Sequence, residues 1–225
     1  MPLKILFIGD VVGSPGRKMV SQMLPRLIHR WGIGLVICNA ENAAGGSGLT
    51  IRCHEELVEA GVDVFTLGDH VYRKDEVFTL FERDDRLCRP ANFPAEAPGA
   101  EFALAEARDG TIVGVFSVLG RYLEGRVSAV LGTHTHVATA DEQVLPGGTA
   151  FIADVGMTGP HGGVIGMDKD AIIKKFLDGL PARFEVASGD VQMNCVLIEA
   201  DEDAPRNAAG RLRAQKIERL RFRIE

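Results

Sequence analysis

No apolar run in this 225-residue chain approaches the roughly 20 residues that cross a bilayer, so no membrane span is expected. The opening MPLKILFIGD turns polar too soon for a signal peptide, and a cytoplasmic protein is the expectation. Cysteine is sparse: Cys38, Cys53, Cys88 and Cys195 are scattered without a CxxC pair, which argues against a cysteine zinc site and for reduced thiols. Positive charge is not in excess. With 25 Lys and Arg against 31 Asp and Glu, the net charge of -6 disfavours general duplex nucleic-acid binding. It leaves room for a small phosphorylated substrate held by metal ions. The glycine-rich stretches GDVVGSPGR and AAGGSG lack the Gly-Lys-Ser/Thr of a P-loop and the GxGxxG of a dinucleotide site. No linker, solenoid repeat or low-complexity stretch interrupts the chain, and residues 1–225 are expected to form a single domain.

What is present begins with a pattern used three times. KILFIG is a short β-rich run ending at Gly9 and followed by Asp10; RKMVSQMLPRLIHRWG then has helical spacing, with Pro25 as an expected kink. GLVICNAEN repeats the scheme, a strand followed by Glu41 and Asn42, before a helix with Thr50 as N-cap and Gly61 as terminator. VDVFTLGDH is a third strand, ending in Asp69 and His70, and KDEVFTLFERD a third helix. The second half is richer in strands: TIVGVFSVLG, RVSAVLG, GTAFIADVGM, RFEVASG and VQMNCVLIEAD, with LPGG as a turn and KDAIIKKFLDGL as a helix. RFEVASGDVQMNCVLIEA reads as a hairpin, and the ending RLRAQKIERLRFRIE as either an edge strand or a basic helix. An α/β first half joined to a β-rich second half predicts two packed mixed sheets flanked by helices.

Open α/β sheets place their sites beyond the carboxyl ends of the strands, where these polar residues fall. Helix N-capping explains Asp10 or Asn42 singly but explains Glu41 and His70 poorly, because neither is a favoured cap. GTHTHV adds His134 and His136, two residues apart and on one face if extended. Alone, that pair is either half a metal site or a hydrogen-bonded structural pair. Together with Asp10, Glu41, Asn42, Asp69 and His70, it gives a mixed oxygen and imidazole set suited to Mn²⁺, Fe²⁺ or Zn²⁺. His29 and His54 lie in helical stretches and read as surface or packing residues, and Cys38 as a small hydrophobe.

ILFIGDVVGSPGR, NAENAAGGSGLT, TLGDH, RPANFP, GRVSAVLGTHTHV, TADEQVLPGGTAFIADVGMTGP and VIGMDKD resemble, in order, the YmdB-like family of calcineurin-like metallophosphoesterases. The resemblance implies an αββα sandwich with a dinuclear centre of two divalent or mixed-valence ions, iron or manganese foremost, with zinc or magnesium as alternatives. It implies a phosphodiester or cyclic-nucleotide substrate, and a possible homo-oligomer. Carried over, Asp10 and His136 match ligands of one metal, His134 one of the other and Glu41 the bridge, while Asp69 keeps a ligating oxygen. Asn42 matches a substrate-holding amide, and His70 a proton donor to the leaving oxygen. The sequence departs from the family twice. Asp69 stands where Asn is usual. Only RYLEG separates VFSVLG from GRVSAV, where the family carries a further strand, helix and histidine ligand. Either the sequence skips a stretch, leaving the Cα separation near Arg121–Tyr122 far above about 3.8 Å, or the deletion is real and the site lacks one imidazole unless His161 replaces it. The first reading is favoured because losing a core strand exposes two strand edges. The rival to an enzyme is a weakly active or non-catalytic relative that binds a nucleotide or protein through the same cleft.

Overall fold

A computed structural model describes residues 2–91, 93–117, 125–180, 183–200 and 205–223. The three repeated units appear as parallel strands β1 (Leu3–Ile8), β3 (Leu35–Asn39) and β4 (Val64–Thr66), joined by α1 (Gly13–Trp31) and α2 (Ile51–Ala60). A two-residue β2 (Asp10–Val11) follows β1, and α3 (Glu76–Arg83) leads from β4 to β5 (Leu87–Cys88). The expected caps are present at α2: the Thr50 hydroxyl accepts from the Cys53 N–H at 3.3 Å, and Gly61 closes the helix at φ 106°. Pro25 lies inside α1, which continues past it as one element.

The first sheet divides its side chains by the two-residue period of a strand. Leu6, Ile8, Val36, Cys38 and Phe65 meet Met19, Leu24, Leu57 and Leu80 of the helices. Leu3, Phe7, Leu35, Ile37 and Val64 face the other way, onto Ala103, Val115, Ile152 and Val155. Both faces are therefore buried, which is why these strands read as continuous apolar runs rather than alternating ones.

The second layer comes from β6 (Phe102–Glu106) paired with β7 (Ile112–Phe116), and from β8 (Ala129–Leu131), β9 (Gln143–Val144) and β10 (Ala150–Ile152) in the order β8-β10-β9. The β8–β10 pair is parallel and the β10–β9 pair antiparallel, with the LPGG turn between β9 and β10 closed by Gly148 N–H donating to Leu145 O at 2.8 Å. The 120–122 junction, with Arg121, lies outside the described residues.

β11 (Met157–Pro160), β12 (Val191–Ala200) and β13 (Ala214–Arg223) complete the large sheet, in the order β2-β11-β12-β1-β3-β4-β5 with β13 along β12. The chain ending is thus an edge strand, which settles the choice between strand and helix. The hairpin reading of RFEVASG does not hold. Residues 183–190 contain no strand, only an isolated bridge between Val186 and Met167. β12 already pairs with β1 and β11 on one side and β13 on the other, so it has no free ladder to offer. α4 (Lys169–Asp178) is capped by Asp168, which accepts from Asp170 N and Ala171 N, and it buries none of its residues. No described helix is long and apolar enough to cross a membrane. All four cysteines are free and buried, and burial pushes the Cys88 thiol up to about 12.

Candidate metal centre

The site is assembled where strands end. Gly9 closes β1 and hands the chain to Asp10; β3 ends at Asn39, two residues before Glu41; β4 is followed by Gly68, Asp69 and His70; β8 is followed by Gly132 and the THTH turn. Gly68 is needed for space, since a Cβ there would overlap the Glu41 carboxylate. A Cβ at Gly132 would strike the Ala153 carbonyl, which explains the glycine ahead of the histidine pair.

All seven residues expected at the site come together. His134 donates its backbone N–H to Asp10 Oδ2 at 3.0 Å, and His136 Nε2 lies 3.5 Å from the same oxygen. His134 Nδ1 is 3.5 Å from Asp69 Oδ1, and Glu41, Asp69 and His134 offer ligand atoms within 4.8 Å of one another. Glu41 Oε2 accepts from the His70 N–H at 3.2 Å. His70 Nδ1 donates to Asn42 Oδ1 at 2.7 Å, and Asn42 Nδ2 donates to His136 Nε2 at 3.2 Å. The histidines do not sit on an extended strand, as their spacing alone suggests. They occupy left-handed turn positions, His134 at φ 116° and His136 at φ 65°.

The electrostatics ask for a cation. Asp10 is fully buried, and its Oδ1 has no hydrogen-bond partner. Burial, then the charges of Glu41 and Asp154, drive its carboxyl well above the usual range. Glu41 is likewise raised, chiefly by burial. At Asp69 burial pushes upward, but hydrogen bonding with Glu41 and the nearby His70 and His134 rings outweigh it and hold the carboxyl low. Burial lowers His136, keeping the ring neutral, and its Nδ1 donates to Ile165 O at 2.9 Å. Nε2 is therefore the unprotonated nitrogen, accepting from Asn42 Nδ2 at 3.2 Å and lying 3.5 Å from Asp10 Oδ2, the tautomer a metal ligand needs. An unpartnered buried carboxylate oxygen beside a neutral imidazole fits a divalent ion.

Two buried residues escape the sequence reading. Asn39 accepts from the Glu41 N–H at 3.0 Å and donates to Glu41 Oε1 at 3.2 Å and Thr133 Oγ1 at 2.8 Å. Asp154 accepts from Thr135 N and Oγ1, both at 2.8 Å, and from Gly156 N at 2.7 Å. Asp154 follows a strand end as Asp10 does, so the same rule would have found it. His161, considered as a replacement ligand, turns elsewhere: Nδ1 donates to Gly159 O at 3.0 Å and Nε2 faces Asn194 Nδ2 at 3.2 Å.

A layered α/β sandwich with this cluster at its sheet edge is a metallophosphoesterase fold. The chain belongs to the YmdB-like protein family, whose profile matches residues 6–123 and 117–212. It is 38% identical over 262 aligned positions to a 2',3'-cyclic-nucleotide 2'-phosphodiesterase of Bacillus subtilis (strain 168), covering 97% of this chain and 96% of that one. A putative phosphatase/phosphodiesterase of Mycoplasma pneumoniae is 32% identical, with 88% of each chain covered. A hypothetical protein from Thermus thermophilus superposes with TM-score 0.88 at 33% identity, covering 98% of this chain and 99% of that one. A novel phosphatase from Mycoplasma pneumoniae gives 0.87 at 28% identity, covering 99% and 94%. The 262 aligned positions exceed the 225 residues of this chain, so the Bacillus protein carries residues with no counterpart here. The family match divides at 117–123, the place where the sequence is short.

Proposed function

We propose that this chain is a metal-dependent phosphodiesterase acting on phosphodiesters such as 2',3'-cyclic nucleotides. One observation carries the reading: Asp10, fully buried, leaves an oxygen unpartnered beside Glu41 and the neutral His136. The activity named for the Bacillus relative supplies the substrate class. Asp10, Glu41 and His136 would hold one ion, and Glu41, Asp69 and His134 a second, with manganese or iron foremost and zinc or magnesium as alternatives. When bound, such ions lower the pKa of water and neutralise charge growing on phosphoryl oxygens.

The rest is the work of side chains. Asn42 takes the Nδ1–H of His70 and so fixes the ring, leaving Nε2 as the atom that can pass a proton to the cleft. Water contributes the new oxygen on phosphorus, the P–O2′ bond breaks, and His70 protonates O2′, giving the 3'-nucleotide. Asn42 Nδ2 is the amide donor placed to hold a phosphoryl oxygen. We place this activity in one cytoplasmic domain that can self-associate; the net charge of -6 argues against duplex nucleic acid as substrate.

A second reading, a weakly active or non-catalytic nucleotide- or protein-binding relative, is favoured by the residues of the Bacillus protein that have no counterpart here, the family match dividing at 117–123. Metal content measured alongside hydrolysis of bis(p-nitrophenyl) phosphate and 2',3'-cyclic AMP separates the two. Metal with turnover supports the enzyme; metal without turnover on either ester supports the relative.

A further inference from the structure

Val164, Ile165, Gly166 and Met167 make a tight turn. Val164 N–H donates to Met167 O at 2.9 Å and Met167 N–H donates to Val164 O at 3.0 Å, so two residues form the tip. Those two are Ile165 at φ 47° and Gly166 at φ 88°. Two positive φ values in a two-residue loop mark a type I′ turn, which favours Asn-Gly or Gly-Gly. Gly166 meets that preference. Ile165 does not, because a β-branched side chain crowds its own backbone in the left-handed region.

Packing does not explain the choice. Ile165 is 54% exposed and belongs to none of the apolar clusters formed by the described residues. Its carbonyl accepts from His136 Nδ1 at 2.9 Å, but any residue supplies a carbonyl, and glycine supplies it here without strain. Strain that the fold does not use points to a function for the side chain. Position narrows that function. His136 Nε2 lies 3.5 Å from Asp10 Oδ2, and Nδ1, across the imidazole, meets Ile165. Val137, the next residue after His136, is 64% exposed. An apolar rim thus begins one five-membered ring away from the nitrogen that faces the site.

We infer that Ile165 and Val137 form an apolar shelf that receives the base of a nucleotide whose phosphate is held in the site. The inference rests on the phosphodiesterase reading above and names the part of the substrate that meets this rim. A nucleoside 2',3'-cyclic phosphate also separates its phosphorus from its base by one five-membered ring, the ribose. With its phosphate in the site, such a nucleotide has the reach to lay its base on the shelf. Covering the flat face of a base and two aliphatic side chains removes apolar surface from water. Aliphatic side chains read no hydrogen-bonding edge. The shelf therefore favours nucleotides over base-free esters and discriminates weakly among the bases.

The test compares Ile165→Asn, which suits the left-handed turn but is polar, with Ile165→Leu, which keeps an apolar side chain. The full chain, supplied with Mn²⁺, is given 2',3'-cyclic AMP and the 2',3'-cyclic phosphate of methyl riboside, which has no base. The ratio of kcat/KM between the two esters should fall about 10-fold in Ile165→Asn, the low end of what an apolar contact contributes to selectivity. It should stay near the parent value in Ile165→Leu. Ile165→Asn should keep its metal and melt at the same or a higher temperature. Calorimetric binding of 3'-AMP and of methyl riboside 3-phosphate should show the same loss of preference without turnover. An unchanged ratio and an unchanged binding preference in Ile165→Asn overturn the shelf. So does a lower melting temperature or lost metal, either of which makes the side chain structural. If the parent chain hydrolyses neither ester, the phosphodiesterase reading fails, and the binding preference alone decides for or against the shelf.

Discussion

Asp154 accepts hydrogen bonds from both the N–H and the hydroxyl of Thr135, each at 2.8 Å, and Thr135 is the residue between the two site histidines. The same carboxylate takes the Gly156 N–H, and Asp154 O takes the Thr139 N–H at 2.9 Å. The turn that bends His134 and His136 into left-handed conformations is therefore clamped from below by one buried acid.

Asp154→Ala should release that clamp. Losing the acceptor for the buried Gly156 N–H destabilises by about 1–3 kcal/mol, and metal affinity should fall about 10- to 100-fold as the imidazoles lose their orientation. Thermal unfolding and metal analysis check the two effects, and an Asp154→Ala protein with unchanged metal affinity would show that the turn holds itself.

His70→Ala should leave metal content intact and slow turnover by roughly 10²–10⁴-fold, as for a lost general acid. Asp10→Ala and His136→Ala should lower metal content instead. Equal metal loss in all three variants would make His70 a ligand.

The raised carboxyls of Asp10 and Glu41 set a pH dependence for the metal-free protein. Because folding raises their pKa, the folded chain binds protons that the unfolded chain does not. Their contribution is complete below the ordinary carboxylate range and is lost as pH rises through the raised values. Metal-free protein should melt at progressively lower temperature as pH rises above the ordinary carboxylate range, and Mn²⁺ should reverse the loss. Asp84 and Asp69, whose carboxyls are held low, act in the acid window beneath this one. Asp10→Asn should raise the melting temperature of the metal-free protein at the alkaline end and abolish much of its response to Mn²⁺. A melting curve independent of pH in that window would contradict the assignment.

Gly68→Ala should disturb Glu41 without touching a ligand, because the new methyl needs the volume of its carboxylate. Overpacking of this kind destabilises by about 1–3 kcal/mol, and reduced metal content in a folded protein is the expected readout.

Much of this arrangement was legible because buried strands leave few reasons for a carboxylate. Asp10, Glu41 and Asp69 each break an apolar run at its end, and Thr50 and Gly61 mark their helix by local chemistry alone. Asn39 and Asp154 were passed over because both lie within or against apolar runs, and only the folded chain reveals that their partners are Glu41 and Thr135. RFEVASG misled for a different reason. Alternation describes a segment's preference, whereas a strand also needs a vacant neighbour, and β12 has none. The left-handed His134 and His136 were invisible because a φ above zero at a non-glycine residue is imposed by surrounding contacts.

β12 has a consequence for how the protein is made. It pairs with β1 from Leu3↔Ala200 to Ile8↔Cys195, and Asn194 O takes the Gly9 N–H just ahead of Asp10. β1 thus leaves the ribosome well before β12 and waits for it before this edge is closed. Pairings this distant in sequence are slow to form. Until residues 191–200 have emerged, β1 keeps an open edge to which other chains can add. Expression at lower temperature should therefore raise the soluble yield, and truncation before Val191 should give insoluble protein.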